Sequence, residues 1–438
     1  MDQTEALIIE TIDRHREEIL KFARDIYSHA ELGYKEFQTS GKFVKKMEQL
    51  GLRTEKGFAI TGVKAYLNED KKENASLALL GELDALRIPE HAFANAETNA
   101  AHCCGHHAQM AGVFGAALAL TVPEIAEKLD GQVVFFATPA EEYGEIEFKN
   151  QLREQGKIRY GGGKCELLRI GAFDDIDLCL THHIRPGNEI LVGSGTGNGF
   201  VSKVIRVLGK ASHAAGAPEK GVNALSAASL GLQALGLNRE TFRDEDCVRV
   251  HPIITKGGNL VNVIPDEVVV ETLVRGKTIE AFTDAAKKTD RSFKAGAIAM
   301  GAKVEISTLP GYLPTLAEEA LPELKHAAEI SASGIPVIEA SGHAGGSTDV
   351  GDVQHLMPVY TFNTGGVKGG LHQIDFEVTD EEEAYIVTAK MFALAAYGLL
   401  KEKAQRSREL VDQYEPVFKN SAEYVEFMEQ FDSKEIFE

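Results

Sequence analysis

The sequence predicts an α/β protein, in which a mostly parallel sheet with helices on both faces carries an inserted ferredoxin-like α+β domain. Three observations lead there. Across residues 1–199 and 309–438, short continuous apolar runs alternate with helical stretches, the pattern of parallel strands buried on both faces. Residues 200–308 instead run strand, helix, strand, strand, helix, strand, the order of a split βαβ sandwich. A glycine-rich segment, Gly193-Ser194-Gly195-Thr196-Gly197-Asn198-Gly199, precedes that section like a hinge.

Taken in order, Leu7, Ile8, Ile12, Ile19, Leu20, Ala23 and Ile26 recur near helical spacing and predict one helix over 5–28. A second helix over 38–50 follows the loop His29-Ala30-Glu31-Leu32-Gly33. Strands are expected at 76–81, 132–137, 177–181 and 358–362, with helices at 108–121 and 318–330 between them. In the inserted domain the strands are SKVIRVLG, VRVHPIIT, EVVVETLVRG and AKVEIST, and the helices cover 220–237 and 278–300. Residues 401–438 read as a charged helical tail.

A chain of 438 residues has room for two or three domains of roughly 100–200 residues each. Its 66 acidic residues against 46 basic ones give a net charge of −20, which argues against nucleic acid and anionic membranes as partners. No apolar run approaches the roughly 20 residues of a transmembrane helix. The N-terminus reads as an acidic amphipathic helix, not a signal peptide. The five cysteines, at 103, 104, 165, 179 and 247, are odd in number and read as reduced thiols, so a cytoplasmic location is expected.

In a parallel sheet, functional groups gather beyond the carboxyl ends of the strands. Here Glu82-Leu83-Asp84, Glu141-Glu142, His182-His183 and a glycine-rich loop ending in His372 each follow an apolar run. His102-Cys103-Cys104-Gly105-His106-His107 opens a helix. Singly these have bland readings: a buried thiol, a solvated acidic pair, a core histidine. Jointly they bring N, S and O donors to one rim, as a borderline transition-metal site needs. The glutamate pair has a mechanical logic. One carboxylate can hold a metal while its neighbour takes a proton from the attacking water and returns it to a leaving amine. No nucleophile elbow or phosphate-binding loop competes for the chemistry.

The segments HAELGYKEFQTS (29–40), GELDALRIP (81–89), HCCGHHAQMAG (102–112), ATPAEE (137–142), DLCLTHHIRP (177–186), GKASHAA (209–215), GGNLVNVIPDEV (257–268), GSTDVGDV (346–353) and GGLHQIDF (369–376) resemble, in order, those of the M20 metallopeptidase and amidohydrolase family. The likeness is to the branch of N-acyl-amino-acid amidohydrolases, auxin-conjugate hydrolases and aminobenzoyl-glutamate hydrolases. The resemblance implies a dinuclear metal exopeptidase-like catalytic domain, in parts 1–199 and 309–438, with 200–308 as a lid and dimerisation domain. It implies hydrolysis of N-acyl amino acids or small dipeptide-like amides. It implies two divalent metals, zinc or manganese, held by Cys104, His106, Glu142, His183 and His372, with Cys104 bridging. It makes Glu141 the general base and His213 the residue that reaches a partner subunit's site to stabilise the oxyanion. Asn262 and Arg275 fall where the family contacts substrate, and a homodimer through the inserted domain is implied. The chain departs from the family at Cys103 and His107, where Ala and Asp or Asn are usual, and in an insertion over 143–160. It also lacks the His of the dipeptidase branch's His-x-Asp, so Asp84 is expected to support the ligands rather than to bind. A catalytically silent binding module on the same fold is the alternative; Glu141 speaks against it, because a binding protein needs no free carboxylate beside its metals. A thiol redox sensor built on Cys103-Cys104 is weaker still, since adjacent cysteines pair poorly.

Overall fold

The computed structural model describes residues 1–438 and divides into two compact units. The larger comprises Met1–Gly195, Leu316–Gly342 and Asp352–Ser421. The smaller comprises Thr196–Thr315, His343–Gly351 and Ala422–Glu438. The sequence-based boundaries set those last two segments with the larger domain.

The larger unit is built on an eight-stranded sheet in the order Arg53–Phe58, Gly62–Leu67, Gln132–Thr138, Ser76–Glu82, Leu178–Ile184, Val359–Thr364, Ile190–Val192, Val337–Glu339. The strands from Gln132–Thr138 to Val359–Thr364 are parallel, and antiparallel pairings flank them. Every residue of Ser76–Glu82 and Gln132–Thr138 is buried, so both faces of the sheet are covered, as their continuous apolar runs require. The helix His106–Leu120 is buried along its whole length. It packs against Ser76–Glu82 and against the helices Gln3–Arg14, Arg16–Ser28 and Thr388–Gln413. The stretch Glu382–Gln413 is long and apolar enough to cross a membrane by composition, but it breaks at residues 401–404, where the backbone leaves helical geometry, and 89% of its most apolar window is buried inside the fold.

Several elements differ from the sequence reading. The helix expected over 5–28 is two helices, because His15 leaves helical geometry at ψ 11° and ends one while starting the next. His182 and His183 lie inside the strand Leu178–Ile184, not beyond it.

In the smaller unit Gly199–Leu208, Glu267–Gly276 and Lys303–Tyr312 form the centre of an antiparallel sheet. The helices Ala224–Asn238 and Ile279–Met300 pack on it through Ala224, Ala227, Ala228, Phe293 and Ala297, against Ile205, Val268, Val270 and Ile306. The strand expected over VRVHPIIT is split into Arg249–Val250 and Ile253–Lys256, since Pro252 offers no N–H to the ladder. The tail is not helical throughout. After the helix Ser421–Glu429 it ends in a strand, Ser433–Phe437, which pairs with Lys303–Tyr312 and becomes the edge strand of the sheet.

Candidate metal centre

The turn Cys104-Gly105-His106 sets the geometry. Gly105 caps the helix His106–Leu120 in the left-handed region at φ +84°, and a Cβ there would lie 2.0 Å from Ile184 Cγ2. Only glycine lets this turn press against the strand that carries His183. Side chains alternate along that strand. His182 faces the core, its Nε2 2.8 Å from Thr364 Oγ1, and His183 faces the turn, its Nε2 3.3 Å from Cys104 Sγ. His372 Nε2 is also 3.3 Å from Cys104 Sγ and lies 3.2 Å from Glu142 Oε1.

Two residues here hold left-handed backbone without being glycine: Ala140 at φ +49° and His372 at φ +63°. Such conformations persist only where the surroundings impose them. Ala140 donates its N–H to Glu36 Oε1 at 2.8 Å, and the next two N–H groups donate to Asp84, from Glu141 to Oδ1 at 3.2 Å and from Glu142 to Oδ2 at 2.9 Å. The glutamate pair is thus fixed through its backbone. His372 is anchored through its N–H, donated to Cys103 O at 3.0 Å.

Three sets of donor atoms lie within 4.8 Å of one another: Cys104, His106 and His183; Cys104, Glu142 and His372; Glu82, His106 and Glu141. The first two share Cys104. His106 Nε2 and Glu142 Oε1 are buried and make no hydrogen bond of good geometry; their close contacts, with Glu82 Oε2 at 3.1 Å and His372 Nε2 at 3.2 Å, are to other donor atoms of the centre. His106 Nδ1 lies 2.9 Å from Asp84 O and His183 Nδ1 lies 2.8 Å from Ile184 O, which turns the proton toward Nδ1 and the Nε2 lone pair inward on both rings. Burial, then the charge of Glu142, pushes the Cys104 thiol well above its ordinary range, so a cation is needed to hold a thiolate here. These residues fit divalent metal ions.

Asp84 joins none of the three sets and instead steadies the glutamate backbone and His106. His107 joins none either. Its Nε2 is 3.1 Å from Tyr385 OH, its ring packs between Tyr27 and His102, and burial drives its pKa down to about 3. The insertion forms the helix Ile146–Glu154, and Lys149 Nζ donates to Glu142 O at 2.7 Å. In the smaller unit, His213 pairs with Val263 in an isolated bridge and Ala214 N–H donates to Asn262 O at 3.0 Å, so His213 and Asn262 are neighbours. His213 Nδ1 accepts from Ala215 N–H at 3.2 Å and Gly216 N–H at 2.9 Å. Arg275 stands in the sheet opposite Phe200, its guanidinium 5.8 Å from the ring centroid.

Three buried residues next to the centre have no role in the sequence reading, Glu36, Gln109 and Lys164, and a fourth, Glu82, is placed at the rim there without a task of its own. Lys164 Nζ donates to Glu82 Oε1 at 2.6 Å with the lysine fully buried, and Gln109 Nε2 donates to Glu82 Oε2 at 2.8 Å. Burial alone would raise the Glu82 carboxyl, but Lys164 and His106 outweigh it and bring the pKa to about 2. The one sequence signal for Lys164 is a lysine directly after Gly161-Gly162-Gly163.

Residues 78–397 match the profile of Peptidase family M20/M25/M40. The chain is 27% identical over 406 residues to the Xaa-Arg dipeptidase of Mus musculus, covering 90% of this chain and 85% of that one. It is 31% identical over 272 residues to an IAA-amino acid hydrolase of Arabidopsis thaliana, covering 60% of this chain and 56% of that one. Its fold resembles the crystal structure of a dinuclear metal binding peptidase of Bacillus subtilis, with a TM-score of 0.61 and 24% identity over 89% of this chain and 99% of that one.

Proposed function

Because the chain belongs to peptidase family M20/M25/M40 and is a metal-dependent amidohydrolase, we propose that it cleaves the amide bond of N-acyl amino acids or small dipeptide-like substrates. The observation that carries the site assignment is the pair of donor sets sharing Cys104, with the adjacent Glu141 held by its backbone. Cys104, His106, Glu142, His183 and His372 would hold two divalent cations, zinc or manganese; the thiolate favours zinc, while the carboxylate admits manganese. When bound, the cations polarise the scissile carbonyl and make water acidic enough to lose a proton near neutral pH. Glu141 takes that proton and passes it to the leaving nitrogen. His213 donates to the oxyanion of the tetrahedral intermediate. Its Nδ1 already accepts two backbone N–H groups, which leaves the ring proton on Nε2 for that purpose. Asn262 and Arg275 contact the substrate.

We place the enzyme in the cytoplasm as a homodimer. All five cysteines are free thiols, as a reducing compartment favours. The edge strand Ile253–Lys256 and the segment after it expose Ile253 at 60%, Leu260 at 64% and Val261 at 103%, an apolar strip suited to a second copy of the smaller unit.

The test separates the two glutamates. Glu141→Gln keeps size but cannot accept a proton. It is expected to bind metal normally and to lose kcat by about three orders of magnitude. Glu142→Gln is expected to lose metal first and activity as a consequence. Loss of metal from Glu141→Gln with retention in Glu142→Gln would reverse the two roles, and full activity in both would end this reading of the loop.

A further inference from the structure

We propose that Glu82 is a further carboxylate of the metal centre, aimed at the cation taken by His106, with Lys164 as the internal counter-ion that holds it there. This rests on the dinuclear reading above and adds a donor to it. Glu82 ends the strand Ser76–Glu82 and is 3% exposed. Its Oε2 lies 3.1 Å from His106 Nε2, the buried nitrogen that makes no hydrogen bond of good geometry. Glu82, His106 and Glu141 each place one donor atom within 4.8 Å of the other two.

The carboxylate is fixed on its other sides. Lys164 holds Oε1, Gln109 Nε2 donates to Oε2, and Gln109 Oε1 takes the Glu82 N–H at 2.9 Å. A carboxylate oxygen has about two acceptor positions, so Oε2 keeps one, on the side of His106. Lys164 is delivered by the glycine run before it. A Cβ on Gly163 would lie 1.6 Å from Pro139 O, so the same close contact seats Lys164 and the loop carrying Glu141. Without metal a buried carboxylate needs a compensating positive charge, and Lys164 supplies it. The cation at His106 therefore gains a donor that the cation at Cys104, Glu142 and His372 does not have.

The full-length protein, stripped of metal and titrated with Co(II), provides the test, read by equilibrium dialysis and by visible d–d absorption. Glu82→Gln combined with Lys164→Met removes both charges and keeps the volume. Glu82→Asp keeps the charge but withdraws it by one methylene, and serves if the double variant does not fold. Wild type is expected to take two equivalents. Each variant is expected to take one with wild-type affinity and the other about ten- to a hundred-fold more weakly, with altered band intensity for that equivalent. Two equivalents with wild-type affinity and spectra in the variants would make the ion pair purely structural and overturn the proposal. Wild type binding no Co(II) would instead overturn the dinuclear reading, and this one with it.

Discussion

Cys104 belongs to both inferred ligand sets, so its replacement reaches both cations. A serine hydroxyl stays protonated where a thiol yields its proton to a metal, and Cys104→Ser is expected to lose at least one metal per subunit. Elemental analysis showing full occupancy in that variant would remove the cysteine from the ligand set. The rim on which Cys104, His106, Glu142, His183 and His372 gather is legible from the apolar runs before it, whereas the choice of these five among their neighbours comes from the family resemblance, and His183 lies within its strand rather than beyond it. Glu36, Gln109 and Lys164 are not legible, because no strand end marks them and nothing in the sequence ties Lys164 to Glu82, 82 residues away, or Glu36 to Ala140, 104 away. No periodicity encodes such pairs. Polar residues supporting a site become visible only when the chain has closed around them.

At the level of elements, alternation and apolar runs reveal the central strands and the helix His106–Leu120, whose burial leaves little freedom. The break at His15 is hidden because the apolar spacing continues across it, and the strand Ser433–Phe437 is hidden because its residues are mostly exposed. The strand Val359–Thr364 carries a further consequence. Its Thr361 N–H donates to the Glu318 carboxylate, which burial pushes up to about 8. The folded chain thus keeps a proton on Glu318 that the unfolded chain releases near the ordinary carboxylate value. Between about pH 5 and pH 8 the folded state binds more protons, so stability falls as pH rises, by at most about 1.4 kcal/mol per pH unit, and levels off above. Glu318→Gln is expected to flatten that window. Thermal unfolding at pH 5 and pH 8 checks it: an unchanged drop in the variant would assign the pH dependence to other groups.

For the whole molecule, light scattering at micromolar concentration is expected to give twice the 47.6 kDa of one chain. A fully active monomer would remove both the dimer and the cross-subunit task of His213. The two-unit architecture is legible from the change of pattern near 200 and 308, but the membership of His343–Gly351 and Ala422–Glu438 is not, since neither segment carries a periodic signal of its own. That interleaving bears on how the chain is made. The smaller unit completes its sheet with residues 433–437, and the larger one needs residues 352–421, so neither can finish while the C-terminal portion is still inside the ribosome. Emerging strands such as Lys303–Tyr312 must wait, unpaired on one side, for more than a hundred further residues. At synthesis rates of roughly 5–20 residues per second that is a wait of about 6 to 24 seconds, with an open edge available to neighbouring nascent chains. A stalled or prematurely terminated product would therefore be an aggregation seed rather than a smaller folded protein.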